Sequence, residues 1–253
     1  MPTSGSKTLR RSVMMLLVAG ASHGCFHEHD VPADQAVPHL PRWQPRVEEI
    51  HATIPHGGVR ILFLGDSITE GWTDAGADAW DQSFRDLEAL PLGVSGDRTQ
   101  TLLHRLNDDR LDQLQPQLVV LMIGTNNAAD GFHGAADIAA GTQRVLEVAH
   151  ERWPTARCLL LAALPRDSTE TVRRGRLLQS SQILNGIYQD DARVRFLDLG
   201  YLFVEADGSV DRSLMPDDLH PGPAGYEVLA SRIRPVVLDM LRADPGDGTG
   251  HQP

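Results

Sequence analysis

Residues 59–71 read VRILFLGDSITEG, and this stretch decides the fold. Val59, Ile61, Leu62, Phe63 and Leu64 form a near-continuous apolar run, the pattern of a strand buried on both faces of a parallel sheet. The run stops at Gly65-Asp66-Ser67, where a small residue, a turn former and a hydroxyl follow at once. In open α/β sheets ligands bind outside the carboxyl ends of the strands. A serine at that place is either the cap of the next helix or a nucleophile. Partners further along the chain have to decide between the two.

Working outward, apolar runs and amphipathic stretches alternate. Residues 79–90 read as a helix with Trp80, Phe84 and Leu87 on one face. A short strand at 92–94 leads into Ser95-Gly96-Asp97, and a helix at 99–106 follows. The run LVVLMI at 118–123 is a second buried strand, stopped by Gly124-Thr125-Asn126-Asn127. Asp137 opens a helix that ends by Pro154. A strand at 158–164, a helix at 172–190 and a strand at 194–199 come next, and the last helix starts near Pro223. Five strands alternating with helices predict one three-layer α/β/α sandwich on a five-stranded parallel sheet. Right-handed crossovers then bring every strand's carboxyl end to one rim, so Ser67, Gly96 and Asn126 meet there. Nucleotide binding, the usual rival on such a sheet, finds no G-x-G-x-x-G after the first strand and no G-K-[ST] anywhere.

Composition narrows the function. The 253 residues carry a formal net charge of −11, which argues against a nucleic-acid partner. Lys7 is the single lysine, so Schiff-base, Ser-Lys and P-loop chemistry have no residue in the rest of the chain. Residues 1–25 read as an export signal: Lys7, Arg10 and Arg11 precede a short apolar run at 13–21, too short to span a membrane. Two endings stay open, cleavage after Ala19-Gly20-Ala21 and lipidation of Cys25, which would anchor the protein to a membrane. The localisation expected is therefore periplasmic or extracellular. Residues 26–45 read as a polar, proline-rich linker, 46–243 as the folded domain and 244–253 as a disordered tail. His23, His27 and His29, with Glu28 and Asp30, could catch a metal, but a solvated linker is the simpler reading. Cys158 lies in an apolar run and reads as a small buried hydrophobe. The chemistry calls for no cofactor and no metal.

A serine nucleophile needs a base within hydrogen-bond reach and an acid to orient that base. His220 stands in Met215-Pro216-Asp217-Asp218-Leu219-His220-Pro221, a polar loop ahead of the last helix. Asp217 precedes it by three residues, a spacing at which a tight turn returns the carboxylate to Nδ1. Asp218 is too close along the backbone to do so and is expected to face water. Helix capping is the plain alternative for such a loop. Acyl transfer also needs donors for the developing oxyanion: the backbone N–H groups of Gly96 and Ser67 and the side-chain amide of Asn126 supply them, with Asn127 pointing away.

These residues resemble the SGNH (GDSL-type) esterases and lipases. The family's blocks match in order as Gly65-Asp66-Ser67, Gly96 within Gly93-Val94-Ser95-Gly96-Asp97, Gly124-Thr125-Asn126, and Asp217-Asp218-Leu219-His220, across about residues 43–242. GDRTQTLLHRL, LMIGTNN and MPDDLHPGPAGYEVLA look like the branch of the platelet-activating-factor acetylhydrolase catalytic α subunits. Pro221-Gly222-Pro223 and Ser181 depart from that branch's usual residues. The resemblance implies a flavodoxin-like strand order and ester hydrolysis through an acyl-enzyme on Ser67, with His220 as base and then acid. Ile68, Thr125 and Leu219 adjoin these residues and are candidates for a small acyl pocket. An aromatic content of 5% and the lack of a lid insertion argue against a long-chain lipase. The expected activity is a short-chain, acetyl-type esterase on a small-molecule or polysaccharide ester. The alternatives are a lysophospholipase or thioesterase, a non-catalytic glycan-binding module, and a metal-dependent deacetylase with His220 and Asp217 as ligands but no third. The sequence leaves the oligomeric state open, a dimer included.

Overall fold

The structure, a computed structural model, describes residues 31–38, 41–55, 58–129 and 131–242. The expected export signal and C-terminal tail lie outside the described residues. Five strands, β1 (Ile61–Gly65), β2 (Ala89–Gly93), β3 (Leu118–Met122), β4 (Arg157–Leu161) and β5 (Val194–Leu197), form one sheet in the order β2-β1-β3-β4-β5. Every pairing is parallel. The order reverses at β1, which lies between β2 and β3, and a doubly wound sheet has its ligand crevice at such a reversal.

The helices are α1 (Gln44–Ala52), α2 (Ser67–Glu70), α3 (Ala77–Ser83), α4 (Thr99–Arg105), α5 (Thr125–Ala129), α6 (Ala135–Arg152), α7 (Val172–Tyr188) and α8 (Pro223–Arg242). Successive strand side chains point to opposite faces, and both faces of β1 and β3 are covered. Leu62, Leu64, Val119 and Leu121 pack with residues of α1, α4, α6 and α7. Ile61, Phe63, Val120 and Met122 pack with Trp72, with Trp80 of α3 and with the apolar side of α8. Phe63, Trp72, Trp80, Phe84 and Tyr226 form an aromatic cluster under the start of α2, with Phe63 and Trp80 centroids 5.0 Å apart and those of Trp72 and Tyr226 4.7 Å apart. The Tyr226 hydroxyl donates to the Ile68 carbonyl at 2.7 Å, tying α8 to α2.

Two local readings change. The helix expected over 79–90 is broken: α3 ends at Ser83, a 3-10 turn spans Arg85–Leu87, and β2 begins at Ala89. Glu88 makes the change of direction in a left-handed conformation, φ 54°. Trp80, Phe84 and Leu87 are all buried as expected, but their spacing is shared between a helix and a turn. Proline at position 91 is tolerated because β2 is the sheet's edge strand. Residues 31–38, placed in the linker by composition, lie against the domain. The Thr99 hydroxyl donates to the Ala33 carbonyl at 2.7 Å, Val37 N–H to the Gln100 carbonyl at 3.1 Å, and the Gln100 amide to the Val31 carbonyl at 3.0 Å.

Candidate active site

Ser67 opens α2 directly beyond β1. Asp66 is the N-cap, its carboxylate accepting the Ile68 N–H at 3.0 Å, so Asp66 rather than Ser67 performs the capping. The Ser67 hydroxyl is thereby left to another partner: Oγ lies 2.9 Å from His220 Nε2. On the far side of the ring, Nδ1 lies 2.7 Å from Asp217 Oδ2. Asp217 also closes its own turn, Oδ1 accepting the N–H of His220 at 2.7 Å and of Leu219 at 3.0 Å. That Asx-type turn brings a carboxylate three residues upstream back onto the imidazole. A hydroxyl against an imidazole that a carboxylate orients can pass its proton to the ring while attacking an acyl carbon. Burial alone would push the Asp217 carboxyl up, but its bonds from the His220 ring and N–H hold it below the ordinary carboxylate range.

Two further loops reach this rim. Gly96, φ 80°, bends the loop after β2, a conformation that favours glycine. Asn126 follows β3 at the start of α5, and its amide donates to the Asp97 carbonyl at 2.9 Å, which binds the two loops together. A primary amide has two hydrogens to give. Asn127 turns inward, accepting the Thr99 N–H at 3.0 Å and donating to Gln100 at 2.8 Å.

Residues 63–228 match the GDSL-like Lipase/Acylhydrolase family. The chain belongs to that family. It is 31% identical over 188 residues to human platelet-activating factor acetylhydrolase IB subunit alpha1, covering 74% of this chain and 79% of that one. Its fold is that of a GDSL-like lipase from Bacteroides thetaiotaomicron, with a TM-score of 0.61 and 22% identity over 77% of this chain and 97% of the other. It is also that of a carbohydrate acetylesterase from Sinorhizobium meliloti, with a TM-score of 0.56 and 19% identity over 72% and 99%.

In this GDSL acylhydrolase the three acyl-pocket candidates fare differently. Ile68 and Thr125 are buried and Leu219 is half-buried. The Thr125 carbonyl accepts from Arg166 Nη1 at 2.6 Å. Asp218 lies half-buried at the surface, where both its oxygens take bonds from the exposed Arg212, at 2.8 and 2.5 Å, and its carbonyl accepts the Asp167 N–H at 2.8 Å. Asp218 and Asp167 both hold positive φ, 62° and 65°, so the loop after β4 and the His220 loop meet through two left-handed aspartates. Pro223 begins α8, where its ring fits the first turn and its missing N–H is no loss. Gly225 packs onto the His220 loop, since a Cβ there would lie 2.4 Å from the Leu214 carbonyl oxygen.

The sequence reading missed the charged core under the rim. Arg105 donates from Nε and Nη2 to Asp97 at 2.9 and 2.6 Å and from Nη2 to the Leu92 carbonyl at 3.0 Å. Both side chains are buried. The readable signal was an arginine among Leu102, Leu103 and Leu106 on a buried helix face. Asp66 is buried as well, and desolvation, with Asp97 nearby, pushes its carboxyl up to about 7.

Proposed function

We propose that this acylhydrolase is a serine esterase that releases acetyl groups through an acyl-enzyme on Ser67. The observation that carries the reading is the continuous chain from Ser67 Oγ to His220 Nε2 (2.9 Å) and from His220 Nδ1 to Asp217 (2.7 Å). Ser67 Oγ attacks the ester carbonyl carbon while its proton passes to His220 Nε2. The oxyanion is met by the N–H groups of Ser67 and Gly96 and by the Asn126 amide. Collapse of the intermediate breaks the bond to the alcohol oxygen, which takes the proton from Nε2. Water then repeats the sequence on the acyl-enzyme, releasing the acid and restoring the serine.

Acetyl as the acyl group is supported by two relatives that differ in the rest of the substrate, an acetylhydrolase of platelet-activating factor and a carbohydrate acetylesterase. The candidates for a wall around so small a group are Ile68, Thr125 and Leu219, which adjoin Ser67, Asn126 and His220 in the sequence. For the alcohol half the reading is an O-acetylated carbohydrate. Export to the periplasm or cell exterior belongs to the same proposal, supported by Lys7, Arg10 and Arg11 ahead of the apolar run at 13–21.

The test is hydrolysis of p-nitrophenyl esters of increasing acyl length by wild type and Ser67→Ala. Wild type should turn over the acetate fastest, and the variant should lose at least ~10³-fold in kcat with its thermal midpoint unchanged. Turnover surviving in the variant would overturn the nucleophile. A rate rising toward octanoate would move the enzyme to the long-chain thioesterases and lysophospholipases.

A further inference from the structure

Residues ahead of β1 also stand on the rim. Trp43 closes the 3-10 turn Pro41–Trp43 and is half-buried at the start of α1. A Cβ placed on Gly96 would lie 3.3 Å from Trp43 Cζ2, 3.5 Å from Cε2 and 3.8 Å from Nε1, so the indole edge abuts the glycine of the oxyanion loop. Its position is braced. Arg46 Nε pairs with Glu70 Oε1 at 2.8 Å, and Glu70 Oε2 accepts the N–H of Ser95, the residue before Gly96, at 2.5 Å. Glu70 lies on α2, three residues after Ser67. One carboxylate thus joins α1, the nucleophile helix and the oxyanion loop, and Trp43 belongs to that joint.

An ester bound at Ser67 has two halves diverging from its carbonyl carbon. With the acyl half assigned to Ile68, Thr125 and Leu219 and the carbonyl oxygen to the Gly96 N–H, the alcohol half is left to pass alongside the oxyanion loop, against which the indole stands. We propose that Trp43 is the specificity-determining wall of the alcohol subsite and that it selects alcohols presenting a flat ring face, such as a pyranose. This rests on the acyl-enzyme reading above and adds the residue that chooses the alcohol. A large rigid indole suits contact with a ring. The brace beside it sets two carboxylates, Glu49 at 3.0 Å and Glu70 at 2.8 Å, against the single cation Arg46, so it offers no surplus positive charge to draw an anionic alcohol.

The test compares wild type, Trp43→Ala and Trp43→Phe on cyclohexyl acetate and ethyl acetate, with acetylated xylo-oligosaccharide as a third substrate. The quantity read is the ratio of kcat/KM for the ring ester to that for the ethyl ester, in which the chemistry common to both cancels. In Trp43→Ala the ratio should fall roughly tenfold or more, chiefly through KM of the ring ester, and Trp43→Phe should keep most of it. Equal slowing of both esters, with the ratio held in both variants, would mean that Trp43 only braces the loop and would overturn the proposal. Trp43→Phe keeps the measurement readable should the alanine variant fold poorly. Failure of the parent reading looks different: neither ester is cleaved, or turnover survives Ser67→Ala. A Trp43-dependent ratio with xylo-oligosaccharide left intact would support the ring subsite and remove carbohydrate as the alcohol.

Discussion

Asp66 shows how much depends on one side chain next to Ser67. It caps α2 through Oδ1, which frees the Ser67 hydroxyl for His220, yet it is buried and its carboxyl is pushed up to about 7. A carboxyl whose folded pKa lies above its unfolded value near 3.9 contributes stability that is complete below about pH 4 and lost as pH rises through 7. Asn at this position keeps the capping oxygen and has no charge to desolvate. Asp66→Asn should therefore gain on wild type in urea-unfolding free energy as pH goes from 4 to 8, and parallel curves would show that Asp66 titrates normally. The roles of Ser67 and Asp66 were not separable in the sequence, where both are ordinary N-cap residues. His220 and Asp217 were legible only in company: D-x-x-H alone reads equally as a capping loop, and its expected place on the same rim as Ser67, Gly96 and Asn126 gave it a partner. The pairing of Asp218 was not legible, since its partner Arg212 is an exposed residue on a turn whose shape no local pattern announces.

Among the elements, the sheet was the legible part and close approach between elements the hidden one. β1 and β3 announce themselves as runs of β-branched and aliphatic residues, and all five strands fall near their expected places. What brings α2 onto the strand ends is glycine. A Cβ on Gly93 would lie 2.1 Å from Glu70 N and 2.5 Å from the Thr69 carbonyl carbon, both backbone atoms that cannot swing aside. In sequence Gly93 was only the middle residue of the short strand expected at 92–94, with nothing to mark the close approach. Gly175 is the opposite case: it lies within α7 with open space where its Cβ would be. Gly93→Ala should cost about 3 kcal/mol or more, above the usual range for overpacking because backbone must move. Gly175→Ala should instead gain roughly 0.5–1 kcal/mol of helix stability. Denaturant midpoints of the two variants check the contrast, and equal effects would mean that α2 is not held by close contact with the end of β2.

Across the whole molecule, the separate rim loops form one site because a buried ion pair fastens them from below. Arg105 on α4 reaches the carbonyl of Leu92 on β2 while its guanidinium holds Asp97, whose other oxygen accepts the Thr101 hydroxyl at 2.7 Å and whose carbonyl takes the Asn126 amide. The loops after β2 and β3 are thus tied to each other and to the edge strand through a residue remote from the reacting atoms. Removing one member of a buried pair leaves the other charge without compensation, a loss of about 3–5 kcal/mol, whereas replacing both with apolar groups is often close to neutral. Arg105→Met should accordingly destabilise the protein strongly, and Asp97→Leu combined with Arg105→Met should recover much of that stability. Activity should not follow. In the double variant the Asp97 carbonyl remains but the side-chain bonds that aim it are gone, so Asn126 and Gly96 lose their fixed positions, and kcat for p-nitrophenyl acetate should stay at least tenfold below wild type, well within what loss of an oxyanion donor costs. Recovery of kcat together with stability would show that the pair serves the fold alone and that the oxyanion loop positions itself.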